Sequence, residues 1–166
     1  MLAKSDWSGW QPVFHIGSRE VFLDIGDDEP VALFGGYQNA AAICEEGEVI
    51  FINRETAIKS PESRIEASML PGGEKASSDA CCNEPVFLLS ASGRVFTSAV
   101  ESSSSALHFT EVAELSGKEI VCLSGTHAHC HAVSKEGRVF GREISEISSL
   151  REISSLRNRE IRAASA

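Results

Sequence analysis

The 166-residue chain is acidic, with 24 Asp and Glu against 15 Lys and Arg and a formal net charge of −9. A chain of this length normally forms one domain with its own core. Direct nucleic-acid binding is not expected, because the sequence offers no basic cluster to displace counterions from phosphates. The acidic excess lies before residue 142 and would suit a basic protein partner.

The N-terminal segment, residues 1–28, is expected to contribute at most a first blade strand. It has no apolar core of a signal peptide after Lys4, and no stretch of the sequence approaches the length of a membrane span. We therefore expect a soluble protein that is not secreted and has no membrane partner.

Three segments share one pattern: a short apolar strand, a small-residue turn, a second apolar strand ending in a polar pair, then glycine and a third strand. They cover about residues 29–74, 75–117 and 118–143. Each is anchored by one glycine, at Gly47, Gly93 or Gly137. Such regular spacing indicates a repeat architecture.

The repeats are predicted to form antiparallel strands. The stretches GEVIF, GRVFT and GRVFG each follow a polar pair, and glycine there supplies the positive φ that a tight hairpin needs. The opposing strands are AAAIC, FLLS and HAVS. Continuous apolar runs this short favour strands that are covered on both faces.

The tail, residues 144–166, contains EISSLR twice, at 146–151 and 152–157. Apolar residues recur at every third position over 144–157, which fits a short amphipathic helix. A linker between repeats is favoured, because EISSLRNREI at 152–161 aligns without a gap with EVAELSGKEI at 111–120. The tail would then begin a truncated fourth repeat.

The repeat resembles that of the regulator of chromosome condensation family. In GGYQNAAAICEEGEVIF, Asn39 and Ala40 stand where the family has His-Ser, and in GTHAHCHAVSKEGRVFG His129 and Cys130 do. The resemblance covers about residues 29–143, without the family's Gly-Gln-Leu-Gly arm. On this resemblance the structural repeat positions are Gly36, Gly47, Gly93, Gly125, His129 and Gly137.

The family fold is a seven-bladed β-propeller. The resemblance implies an all-β fold, an incomplete propeller of about three blades built from antiparallel sheets, with a short C-terminal tail that is linker or helix. Propellers close with about four to eight blades. Open blade edges would then promote self-association.

Function is expected to be protein binding rather than catalysis, with no catalytic residue and no cofactor. The resemblance implies guanine-nucleotide exchange on a small Ran-type GTPase, in a cytoplasmic or nuclear setting. One alternative is a non-functional or regulatory propeller fragment that needs a partner chain. The other is a zinc-binding protein.

The zinc alternative depends on His127, His129 and His131, which would share one face of a strand. Because they occupy ordinary repeat positions, a metal site is the less favoured interpretation. The cysteines are odd in number and lack CxxC spacing, which predicts reduced, buried thiols. They are Cys44, Cys81, Cys82, Cys122 and Cys130.

Overall fold

The computed structural model describes residues 13–16, 19–22, 30–35, 39–53, 68–81, 86–98, 108–125, 129–143, 150–156 and 161. In these residues the strands form four antiparallel sheets, and the helical elements are three short 3₁₀ turns. No helix in the described ranges is long and apolar enough to cross a membrane. The mostly β architecture confirms the predicted fold class.

A two-stranded hairpin comes first, followed by three larger sheets in chain order. The hairpin is β1 (Val13–Ile16) and β2 (Arg19–Phe22). Sheet 1 is β3 (Pro30–Gly35), β4 (Asn39–Cys44) and β5 (Val49–Asn53). Sheet 2 is β6 (Ala76–Cys81), β7 (Val86–Ser90), β8 (Val95–Ser98) and β9 (Thr110–Glu111). Sheet 3 is β10 (Ile120–Gly125), β11 (His129–Ser134), β12 (Val139–Glu143) and β13 (Arg151–Glu152).

The second and third strands of each large sheet are joined by the same glycine turn. Gly47, Gly93 and Gly137 have φ angles of 87°, 83° and 78°, a region that side-chain-bearing residues rarely adopt. In each turn the glycine N–H donates to a carbonyl three residues earlier: Gly47 to Cys44 at 2.9 Å, Gly93 to Ser90 at 3.0 Å, and Gly137 to Ser134 at 2.8 Å. The shared turn fixes the same strand register in all three sheets.

Two apolar cores lie between neighbouring sheets. The sheet 1/2 core consists of Ala41, Ile43, Val49, Phe51, Leu70, Ala76, Val86, Leu88, Phe96 and Phe109. The sheet 2/3 core consists of Phe87, Leu89, Val95, Val112, Leu115, Ile120, Leu123, Cys130, Ala132, Phe140 and Leu150. Alternate apolar residues of β7 enter opposite cores, Val86 and Leu88 one and Phe87 and Leu89 the other, and Ser90 at its end is also buried. The continuous run VFLLS is therefore a strand covered on both faces.

The linkers between sheets end in short outer strands and turns. The N–H of Val112 donates to the carbonyl of Val95, and that of Ile153 to the carbonyl of Val139, both at 2.8 Å. The 3₁₀ turns are Pro71–Gly73, Ala113–Leu115 and Ser154–Leu156. In the tail, residues 151–156 are thus a short strand and a 3₁₀ turn, while residues 144–149, 157–160 and 162–166 lie outside the described residues.

Candidate functional site

The glycine turns and the starts of the inner strands, which are the first strands β3, β6 and β10, lie together at one end of sheets 1, 2 and 3. We call this surface the turn face; it comprises residues 30–31, 45–47, 74–77, 91–93, 118–121 and 135–137. Backbone hydrogen bonds connect its parts in sequence: Ala76 N–H to Gly47 O at 3.4 Å, Ala91 N–H to Lys75 O at 2.9 Å, Ile120 N–H to Gly93 O at 3.0 Å, and Lys135 N–H to Glu119 O at 2.9 Å. The turn face is therefore one continuous surface across all three sheets.

Each inner strand has a β-bulge at its second residue, on the turn face. The strand register shifts between Pro30 and Ala32, between Ala76 and Ser78, and between Ile120 and Cys122. The residues left out of the pairing are Val31, Ser77 and Val121, and all three are exposed. Val31 is 64% exposed and Val121 52%, and each directly follows a buried residue, Pro30 or Ile120. Bulges commonly redirect a side chain towards a binding site.

Charged side chains lie on the same turn face as the two valines. Lys75 Nζ contacts Glu46 Oε2 at 2.9 Å between sheets 1 and 2, and Lys135 Nζ contacts Glu119 Oε2 at 3.4 Å within sheet 3. Carboxylates outnumber ammonium groups on the turn face: Glu45, Glu46, Glu74, Glu119 and Glu136 against Lys75, Lys118 and Lys135. The surface therefore combines exposed apolar residues with a moderate excess of negative charge.

An arginine next to the turn glycine ties the third strand of sheet 2 to its outermost strand. Arg94 Nη2 donates to the Glu111 carboxylate, and its Nη1 donates to Glu74 Oε1 at 3.2 Å. The guanidinium carbon lies 5.2 Å from the centre of the Phe96 ring, within cation–π range. The Arg94 side chain thus connects three parts of sheet 2: the segment before β6, strand β8 and the outer strand β9.

Sheet 3 repeats this arrangement. Arg138 Nη2 donates to the Glu152 carboxylate, and the guanidinium carbon lies 5.5 Å from the centre of the Phe140 ring. Sheet 1 has Glu48 at the corresponding position after its turn glycine. Sequence reasoning did not find these pairs: the shared Gly-Arg of GRVF and the aligned Glu of EVAEL and EISSL show equivalent positions in two repeats, but not that the two side chains meet.

The arginines stabilise the ionised form of their partners. The hydrogen bond from Arg94 holds the pKa of Glu111 below 4.5, while the same contact raises the pKa of Arg94. The pKa of Glu74 is also lowered, first by a hydrogen bond from Ser92 and further by Arg94. Glu152 likewise raises the pKa of Arg138 through its hydrogen bond.

Replacing Arg94 with Met should flatten the acid dependence of stability. A carboxyl whose pKa is lowered in the folded state contributes stability above pH 4.5, and this contribution is lost as the pH falls through the lowered value. Urea unfolding of wild type and Arg94→Met at pH 7, 5 and 3 measures the difference. Lys135→Met is the control, since it removes an exposed ion pair of the kind that contributes little. Equal pH profiles for wild type and Arg94→Met would contradict the prediction.

The structure brings two of the three candidate histidines together. His129 and His131 are two apart on β11, with ring centroids 6.4 Å apart and ring planes 9° from parallel. His129 is exposed and His131 is half-buried. Partial burial lowers the pKa of His131, and the neighbouring His129 lowers it further. His127 lies outside the described residues.

Other predicted positions are distributed along the sheets. Gly125 ends β10, paired with Cys130, and Gly36 lies outside the described residues. Cys44 and Cys130 are buried, and Cys122 is half-buried. In the described part of the chain, His, Cys, Asp and Glu side chains form no group of three that could hold a metal ion.

No protein-family model matches the chain, and no curated protein matches its sequence. Solved structures nevertheless have a similar fold. Human WBSCR16 has 14% identity and a TM-score of 0.57, and the match covers 82% of this chain and 40% of that one. Yeast RCC1 (Prp20), in complex with Kap60, has 11% identity and a TM-score of 0.52, covering 69% of this chain and 32% of that one.

Prp20p from Saccharomyces cerevisiae, in a structure reported with its binding properties to Gsp1p and histones, has 12% identity and a TM-score of 0.53. That match covers 75% of this chain and 33% of Prp20p. The chain thus spans less than half the length of each of these three structures. At such low identity the likeness shows the fold alone, and that fold is an incomplete β-propeller.

Proposed function

We propose that the chain is a protein-binding module that engages a basic protein partner through its turn face. The observation that supports this most directly is the continuity of the turn face. Its backbone hydrogen bonds join three sheets into one surface, on which Val31 and Val121 are exposed at equivalent bulges. Apolar side chains surrounded by polar ones are typical of the centre of a protein interface.

The charge of the chain supports a basic partner. The net charge is −9, and carboxylates are in excess on the turn face itself. Charge complementarity of this kind increases the association rate and makes it dependent on ionic strength. The exposed valines would then supply the apolar contact that salt does not screen.

A finer proposal is that the partner is a Ran-type GTPase and that the chain promotes exchange of the guanine nucleotide bound to it. It rests on the resemblance of the repeats to the regulator of chromosome condensation family and on the fold shared with Prp20p, a protein studied for binding to Gsp1p and histones. Because the chain spans a third of Prp20p, binding and exchange require separate tests.

Binding is tested with purified core histones as a basic protein and with a Ran-type GTPase, by interferometry at low and moderate salt. We expect binding to at least one of them, weakened by salt and reduced about tenfold or more by the double substitution Val31→Ser and Val121→Ser. Leu33→Ser is the matched control, because Leu33 is 42% exposed but lies outside the turn face. Binding to neither protein, or an equal loss in the control, would reject the proposed surface.

Exchange is tested by release of a fluorescent guanine nucleotide from the Ran-type GTPase. Faster release with wild type than with the double variant supports the finer proposal. Release at the rate of the buffer control rejects exchange, and the binding measurements remain a separate test of the interaction.

A further inference from the structure

The imidazoles of His129 and His131 occupy positions that the other sheets fill differently. The turn glycine lies eight residues after His129, and in the sequence the residue eight before the glycine is Asn39 in the first repeat and Pro85 in the second. The position of His131 is taken by Ala41 and Phe87, which are 0% and 3% exposed in their cores. Packing between sheets therefore favours an apolar residue where sheet 3 has a half-buried histidine.

The neighbouring strand leaves space for this histidine. Gly141 lies directly opposite His131, whereas Phe51 lies opposite Ala41 and Thr97 opposite Phe87. A Cβ on Gly141 would lie 3.3 Å from Cδ2 of His131, closer than most such contacts. A small residue is thus paired with a large imidazole in sheet 3, and the ring lies on the same sheet face as His129.

We propose that His129 and His131 together chelate a divalent late transition-metal ion such as Zn²⁺. An imidazole nitrogen binds zinc at about 2.0 to 2.1 Å, which places each ring centroid about 3.2 Å from the ion. Two parallel rings with centroids 6.4 Å apart do not both direct a nitrogen at one ion in this arrangement. Tetrahedral coordination requires centroids about 5.2 Å apart and a new orientation of one ring. We expect His129, the exposed one of the two, to change its side-chain rotamer when the ion binds.

The donor set determines the kind of metal and the strength of binding. Two imidazoles favour Zn²⁺, Ni²⁺ and Cu²⁺ over Mg²⁺ and Ca²⁺, which prefer oxygen ligands. Since the described side chains provide no third ligand group, water completes the coordination. This predicts an exchangeable ion, bound more weakly than in a closed structural zinc site.

The test is calorimetric titration of the full chain, without an affinity tag, with Zn²⁺ at neutral pH. We expect one ion per chain, and a loss of affinity of about tenfold or more in His129→Ala and in His131→Gln. His108→Ala is the matched control and should bind like wild type, because His108 is an exposed histidine outside sheet 3. Mg²⁺ should give no binding.

A second measurement separates a ligand role from a structural one. Thermal melts in the presence of a chelator should be equal for wild type and His129→Ala, and added Zn²⁺ should raise the melting temperature of wild type alone. Binding that persists in both histidine variants, or that is lost in Cys122→Ser instead, overturns the proposal. So does an absence of Zn²⁺ binding by wild type.

Discussion

Replacing Gly47 with Ala is expected to destabilise the protein by roughly 2 to 5 kcal/mol, through backbone strain and a collision between sheets. Gly47 has a φ of 87°, which an alanine adopts only at a cost. An added Cβ would lie 2.6 Å from Cβ and 2.7 Å from Cα of Lys75, at the entry to sheet 2. Because one of these atoms is backbone, the whole approach of sheet 2 to the first turn would have to shift.

Alanine substitutions at two further glycines distinguish the cost of backbone strain from the cost of the collision between sheets. Gly117 has a φ of 71° with nothing within 4 Å of an added Cβ, so Gly117→Ala should cost only the strain of about 1 to 2 kcal/mol. The loss of stability in Gly93→Ala should lie between those of the other two variants. A Cβ added there would lie 3.1 Å from the Ile120 carbonyl oxygen, a less severe contact than at Gly47. Urea unfolding of the three variants measures their free energies of unfolding and so gives the order of the three losses. An effect at Gly47 no larger than at Gly117 would show that the first turn does not approach Lys75 this closely.

The order of the first three strands in each large sheet could be predicted from local sequence, but the outer strands β9 and β13 could not. The glycine after a polar pair specifies a turn with positive φ, and this turn sets the register of its two flanking strands. Continuous apolar runs such as FLLS indicated burial on both faces, which the alternation of Phe87 and Leu88 between two cores confirms. These features depend on residues close together in the chain.

Contacts between distant residues could not be predicted in the same way. The approach of Gly47 to Lys75 and the pairing of Arg94 with Glu111 depend on how far one sheet or strand is displaced from the next. A repeat alignment shows which positions are equivalent but not how far apart they lie. The bulges that expose Val31 and Val121 are also invisible in the sequence, since an extra residue leaves the apolar pattern of the strand almost unchanged.

For the histidine pair, too, the sequence predicted the local feature but not the contact with a distant residue. Sequence spacing predicted that His129 and His131 share a strand face, because side-chain direction alternates along a strand. It did not reveal that Gly141 lies opposite His131, since cross-strand partners depend on the register of β12. The structure therefore adds the local environment that makes one histidine pair a testable site.

Phe96→Ala is expected to destabilise the protein by about 3 to 5 kcal/mol, the cost of truncating a fully buried phenylalanine. Phe96 is fully buried in the sheet 1/2 core, and its ring also contacts the Arg94 guanidinium. The substitution leaves a cavity between two sheets and removes the surface on which the arginine rests. A loss of this size is a large fraction of the stability of an ordinary domain, about 5 to 15 kcal/mol.

Phe140→Ala tests the equivalent position in the sheet 2/3 core, and Val31→Ala is the exposed control, expected to change stability by about 0.5 kcal/mol or less. Strand β7 contributes to both cores, so damage to either should destabilise sheet 2. We therefore expect Phe96→Ala and Phe140→Ala each to lower the midpoint of one cooperative urea transition followed by circular dichroism. Two separate transitions in either variant would show that the cores unfold independently, and that sheet 2 does not couple them.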